Sequence, residues 1–208
     1  MKKYRINEIF YSVQGEGFYA GTPAVFIRFS GCNLKCPFCD TNFKEYKEMT
    51  ADEIAAEVER VNYGRCEHIV VTGGEPTLQW DKDLYSTFDR LGYYVAMETN
   101  GTNPVKDVDW LTISPKIQWL ENAAVAIENY EGDMVDEVKV VVDEKTDLEA
   151  LAQLPQLFTG SSPRFYVQPC DTGYIKRNAE IMARCIEFVK MFPTWQISIQ
   201  QQKILKVR

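Results

Sequence analysis

Apolar, β-branched runs alternate with amphipathic helical patterns along this chain of 208 residues, and that alternation restricts its fold more than any other feature. The runs are Ala24 to Phe29, His68 to Thr72, Tyr94 to Glu98, Leu111 to Ser114, Glu137 to Val142, Arg164 to Val167 and Trp195 to Ile199, and each reads as a strand. Between them Thr50 and Glu53 make a capping box ahead of Ile54, Val58 and Val61. Further on, Ile175, Ala179, Met182, Ile186 and Val189 form one apolar stripe that places Cys185 in the core. The pattern predicts an α/β class with a parallel sheet under covering helices, and runs as continuous as VKVVV predict strands buried on both faces. A closed barrel of eight strand-helix units takes about 250 residues, so this chain fits an incomplete, open β/α barrel of about six parallel strands. No repeat, low-complexity tract or Ser/Gly-rich linker divides residues 1–208, and one domain is expected.

In such architectures reactive groups gather at the carboxyl ends of the strands, where the strand-to-helix loops converge. Cys32 to Cys39 follows the first run, Gly73-Gly74-Glu75 the second, Glu98-Thr99-Asn100 the third, Ser114-Pro115-Lys116 the fourth, and Gln168-Pro169 a later one. Charge narrows the partners. Lys and Arg number 23 against 30 Asp and Glu, a net charge of -7 without a basic cluster, which argues against a nucleic acid held by its phosphates. No run of about 18 apolar residues is present to span a membrane. Arg5, Asn7 and Glu8 interrupt the amino-terminal segment where a signal peptide is apolar, so a cytoplasmic protein is expected. The single histidine, His68, rules out an HExxH zinc site and any mechanism needing two imidazoles, and reads as structural.

Cys32, Cys36 and Cys39 crowd into one short loop, a poor layout for a disulfide framework. Four-thiolate zinc sites draw on two cysteine pairs, and Cys66, Cys170 and Cys185 offer no second CxxC. A [4Fe-4S] cubane held by three thiolates keeps one iron open to an outside ligand, an arrangement suited to catalysis rather than electron storage. A degenerate zinc knuckle and three unrelated core cysteines are the plainer readings.

The spacing Cys-x3-Cys-x-aromatic-Cys, with Phe38 as the aromatic residue, resembles the signature of radical S-adenosylmethionine enzymes, and the resemblance runs almost the whole length of the chain. It implies that S-adenosylmethionine chelates the open iron, that one electron from the cluster breaks the sulfonium bond, and that the resulting 5′-deoxyadenosyl radical takes a hydrogen atom from substrate. Gly73-Gly74-Glu75 resembles the motif that contacts the methionine amino group, where a glycine pair allows close backbone approach. The resemblance also carries Phe38, Cys39, Asp40, Gly74, Ser114, Pro115, Lys116, Gln168, Pro169, Cys170 and Asp171 into the S-adenosylmethionine site.

Three further segments resemble the 7-carboxy-7-deazaguanine synthase family, which acts in the biosynthesis of queuosine and other 7-deazapurines. In Ser12 to Gly17 and Phe26 to Arg28, the resemblance makes Val13, Gln14, Gly15 and Arg28 the lining of a pterin site. An amide and a carboxylate can read a pyrimidinone edge, and Arg28 can pair with a substrate carboxylate through two parallel hydrogen bonds. In Cys39-Asp40-Thr41 it makes Thr41 a ligand of Mg2+, a hard cation that prefers oxygen. In Gln196 to Lys203 the family shows a strand and then Gln-Thr-His-Lys; here Gln202 replaces the histidine and cannot change protonation near neutral pH. Thr72 and Arg208 are implied to reach substrate. The implied reaction converts 6-carboxy-5,6,7,8-tetrahydropterin to 7-carboxy-7-deazaguanine with loss of ammonia, in a homodimer reduced by a flavodoxin-like protein. Two rival readings are a glycyl-radical activating enzyme acting on a protein partner, and an iron-sulfur electron carrier with a fourth thiolate from Cys66, Cys170 or Cys185.

Overall fold

Side chains alternate across a strand, so a sheet with helices on one face and a cleft on the other sorts each strand into an apolar set and a second set free to be polar. The strands are β1 (Tyr4–Val13), β2 (Pro23–Phe29), β3 (Lys47–Met49), β4 (His68–Gly73), β5 (Tyr94–Thr99), β6 (Trp110–Ile113), β7 (Glu137–Val142), β8 (Arg164–Pro169) and β9 (Trp195–Ile197). They form one sheet in the order β3-β1-β2-β4-β5-β6-β7-β8-β9. From β2 through β4 to β9 the pairings are parallel, seven strands where about six were expected. The sheet is not closed into a barrel, because β3 and β9 lie at opposite edges. The computed structural model describes residues 1–39, 41–42, 45–116, 120–130, 135–158 and 162–208.

Val25, Ile27, Phe29, Ile69, Val71, Val95, Met97, Val138, Val140 and Val142 form the apolar set and join one core with the helices. Those helices are α1 (Ala51–Asn62), α2 (Lys82–Arg90), α3 (Leu120–Asn129), α4 (Leu148–Gln153), α5 (Ile175–Met191) and α6 (Gln201–Leu205). The Thr50 capping box forms as read: its side chain accepts from Glu53 N, and the Glu53 carboxylate accepts from Thr50 N. Such a cap is worth about 1 kcal/mol, and full burial of Ile54 and Val58 adds roughly 2 kcal/mol each.

Two expectations are corrected. The extended segments β1 and β3 were not read as strands; they pair antiparallel with the parallel sheet's edge, β1 on β2 and β3 on β1. The stripe along α5 is rolled around the helix: Ile181, Cys185 and Phe188 are buried, whereas Ile175 is 89% and Ile186 41% exposed. Aromatic packing decides the roll. Phe188 sits 5.0 Å from Phe192 and 5.5 Å from Trp195, while Arg184 on the same helix donates to the Asp143 and Thr146 carbonyls.

The loop joining β1 to β2 closes the amino end of the parallel strands. Gln14 N donates to Thr22 O and Gly21 N to Gln14 O, both at 2.8 Å, which folds residues 14 to 22 back on themselves. Phe18 stacks on Trp110 at 5.1 Å, with the Arg164 guanidinium carbon over the Phe18 ring at 4.1 Å; Tyr19 meets His68 at 4.6 Å and hydrogen-bonds Tyr94 at 3.0 Å. His68, Tyr94, Trp110 and Arg164 are the first residues of β4, β5, β6 and β8, so one loop plugs four strand ends. His68 is therefore structural, as expected.

Candidate active site

The second set of strand residues lines a cavity of about 950 Å³ at the carboxyl ends of the parallel strands, within the range of small-molecule sites. Phe26 and Arg28 come from β2, Val70 and Thr72 from β4, Glu98 from β5, Lys139 and Val141 from β7, and Gln168 from β8.

Cys32, Cys36, Phe38 and Cys39 form one wall of this cavity, with Thr41 beside them. All six cysteines are free thiols. The turn is set by Cys39 N donating to Cys36 O at 3.1 Å, and Leu34 N donates to Cys32 Sγ at 3.4 Å. Burial pushes the Cys32 and Cys36 thiols up. Among the described residues no three His, Cys, Asp or Glu side chains converge as a ready metal-binding group. In chemistry the set still fits an iron-sulfur cluster: three soft thiols share one wall, with the Lys116 ammonium close enough to act on Cys36. Asp40 lies outside the described residues.

The glycine motif explains how this wall is held. Gly74 N donates to Phe29 O at 3.0 Å and Glu75 N to Gly31 O at 2.8 Å, so the end of β4 runs against the start of the cysteine loop. A methyl group at Gly73 would strike the Phe29 backbone, and one at Gly74 the Gly31 carbonyl; Gly73 also has φ +131. Glu75 is fully buried and does not line the cavity; its carboxylate accepts from Thr77 Oγ1 and Thr99 Oγ1 at 2.6 Å and from Asn100 N at 2.8 Å. Asn100 in turn donates to Asn33, tying the β5 loop to the cysteine loop.

Gly73, Gly74, Ser114, Lys116, Gln168, Pro169, Cys170 and Asp171 all line the cavity. Pro115 does not, although it stands between two residues that do. Lys116 Nζ donates to Ser114 Oγ at 2.9 Å, and burial pulls its ammonium down. Cys66 is held by Asn62 away from the cavity and Cys185 is in the core, so of the three candidate fourth thiols only Cys170 reaches it.

Val13, Gln14, Gly15, Arg28, Thr72, Gln202 and Arg208 also share this cavity. The sequence reading places Glu98 at a strand end and Glu16 in the Gln14 segment but does not identify Lys139, the cation that organises them. Lys139 Nζ lies 2.7 Å from both Glu16 Oε2 and Glu98 Oε2. Gln14 donates to Glu98 at 3.0 Å, and Gln200 and Gln202 donate to the other Glu16 oxygen at 3.0 and 2.9 Å. Burial alone would raise Glu16, but Lys139 and the two amides hold it down to about 2. Glu8, on β1, takes Arg28 Nε at 2.9 Å and Arg208 Nη2 at 2.5 Å. The signal for Lys139 was present: a lysine inside EVKVVV that is 3% exposed must be paired.

Residues 26–116 match the Radical SAM superfamily family model. The fold and cysteine wall thus define a radical S-adenosylmethionine enzyme, a class that carries a [4Fe-4S] cluster and S-adenosylmethionine. The 7-carboxy-7-deazaguanine synthase of Bacteroides thetaiotaomicron is 42% identical over 98% of each chain, and that of Burkholderia multivorans is 35% identical over 98% of this chain and 99% of its own. The crystal structure of QueE from Escherichia coli superposes with a TM-score of 0.76 at 29% identity, covering 95% of this chain and 94% of that one. This chain belongs to the 7-carboxy-7-deazaguanine synthase family.

Proposed function

We propose that this protein is the synthase itself, a lyase converting 6-carboxy-5,6,7,8-tetrahydropterin to 7-carboxy-7-deazaguanine with loss of ammonia. The observation that supports this reading is the divided polarity of one cavity. Arg28 and Arg208 gather around Glu8, beside the stacked Phe10 and Phe26 rings 5.1 Å apart; Glu16 and Glu98, with Gln14, gather around Lys139. A bicyclic ring with a carboxylate on its reduced half and N–H donors on its planar pyrimidinone half is complementary to that division. A protein-partner substrate would not need it.

In this reading Cys32, Cys36 and Cys39 hold the cluster, and its assembly draws the loop thiols together. Gly74, Ser114, Lys116 and Gln168 to Asp171 hold S-adenosylmethionine. Bound there, cluster and S-adenosylmethionine supply a carbon-centred radical able to remove a hydrogen atom from carbon 6 of the pterin. The chain's own residues orient the ring and exclude water from it. Thr41 contributes a hydroxyl oxygen to Mg2+; Thr41→Ala is expected to weaken the magnesium dependence of turnover and leave the cluster spectrum intact, and an unchanged magnesium response removes Thr41 from the site. The reading also includes a cytoplasmic location, a flavodoxin-like electron donor and a homodimer; Ile175 and Met191, 89% and 70% exposed on α5, are apolar surface that a second copy could cover.

Equilibrium titration tests the substrate assignment. Losing one member of a desolvated pair costs about 2–5 kcal/mol, so Arg28→Ala is expected to bind the carboxy-pterin at least roughly tenfold more weakly while S-adenosylmethionine binding persists. Normal pterin binding in that variant, or loss of S-adenosylmethionine instead, contradicts it.

A further inference from the structure

Glu8 is the one acidic side chain in contact with both cavity arginines among the described residues, and its geometry is that of a shared counter-ion. It lies opposite Arg28 in the β1–β2 register, and its two carboxylate oxygens go to different guanidinium groups, Oε1 to Arg28 and Oε2 to Arg208. Both guanidinium carbons lie over the same Phe10 ring, at 5.8 and 5.1 Å. Ser12 Oγ donates to the Arg208 carbonyl at 2.6 Å and so fixes the backbone that carries the second arginine. Glu8 meets Arg28 through Nε, so the Nη1 and Nη2 end is the edge an incoming carboxylate can take in parallel fashion.

Among the described side chains in this ion-paired group, two guanidinium charges and one carboxylate sum to a single positive charge. We propose that Glu8 is a specificity-determining residue: it sets the wall's charge to match a monocarboxylate and to disfavour the dianion of a phosphate. The inference rests on the carboxy-pterin reading and deepens it. Phosphate esters are the chemical alternative a cell offers to an arginine pair, since guanidinium groups take carboxylate and phosphate with similar geometry. Shape alone therefore separates them poorly, and the charge of the wall is left to do it.

The test is fluorescence titration of the cluster-loaded enzyme, with S-adenosylmethionine present, by 6-carboxypterin, with inorganic phosphate as competitor at a pH where it is dianionic. In Glu8→Gln phosphate is expected to compete at concentrations about tenfold lower than in the parent, while 6-carboxypterin affinity moves less than about threefold. Glu8→Asp, which restores the charge, is expected to behave as the parent. Unchanged phosphate competition in Glu8→Gln overturns the inference, and so does parallel loss of both ligands, which is what a merely structural residue would give. Should Glu8→Gln fail to fold, Arg208→Ala lowers the wall's charge from the other side: weakened 6-carboxypterin binding with phosphate competition abolished supports the proposal, and unchanged phosphate competition overturns it. A parent enzyme that binds neither 6-carboxypterin, the oxidised analogue, nor 6-carboxy-5,6,7,8-tetrahydropterin refutes the substrate reading itself.

Discussion

Several side chains in this cavity act on each other as much as on any ligand. Glu75 belongs to a motif implied to meet methionine, yet its carboxylate is spent on Thr77, Thr99 and Asn100, and the motif reaches the cavity only through Gly73 and Gly74. A buried carboxylate with this many donors is a bracket between the β4 and β5 loops. The cysteines divide in the same way. Cys32, Cys36 and Cys39 face the cavity, Cys66 is clasped by Asn62, and Cys185 is core. Cys170 reaches the cavity from the opposite side, after β8, with its thiol raised by burial. Each of Cys32→Ala, Cys36→Ala and Cys39→Ala is therefore expected to abolish the cluster's visible absorbance after anaerobic reconstitution, whereas Cys66→Ala, Cys170→Ala and Cys185→Ala retain it. Loss of absorbance in the Cys170 variant would make that thiol a fourth ligand and turn the site into an electron carrier's.

At the scale of elements, the parallel strands were legible because their apolar set is unbroken from Val25 to Val167, and helix α1 because its capping box is local. What escaped was whatever depends on distant chain. β1 mixes Arg5, Asn7 and Glu8 into its run because part of it faces the cavity rim, so it lacked the apolar signature of a buried strand. The roll of α5 followed Phe188 and its aromatic neighbours, which come from beyond the helix. The site residues carried by resemblance were largely brought together, while Glu8, Glu98 and Lys139 needed the fold to show whom they pair with. The plug between β1 and β2 carries a pH dependence of its own. Phe18 N donates to Glu137 Oε2 at 2.8 Å, and burial pushes the Glu137 carboxyl up to about 7 from an ordinary 4.5 despite nearby Lys139, with Glu98 and Glu16 adding to the rise. An acid raised in this way contributes stability that is fully present below 4.5 and lost as pH rises through about 7. Glu137→Gln keeps an acceptor for Phe18 N and cannot ionise, so over that window it is expected to gain at most about 3 kcal/mol relative to the parent in urea unfolding. Parallel stability profiles for the two proteins would show that Glu137 is not buried as described.

The whole molecule is an open sheet with its core on one face and its chemistry on the other. The helices secure Val25 to Val142 and leave the concave residues free to be charged; the plug seals the lower end and the cysteine wall stands at the upper one. Among the described residues no helix is long and apolar enough to cross a membrane. The arginines and the Lys139 cluster face the same space as the cysteine loop, which is what a radical reaction on a small, polar, carboxylated ring demands of its container. The most direct measurement is a single anaerobic assay: the enzyme reconstituted with iron and sulfide, then given S-adenosylmethionine, magnesium, a one-electron reductant and 6-carboxy-5,6,7,8-tetrahydropterin. Appearance of 7-carboxy-7-deazaguanine, absent when S-adenosylmethionine is withheld, is the result expected. A reconstituted enzyme that cleaves S-adenosylmethionine but leaves the carboxy-pterin unchanged would contradict the account.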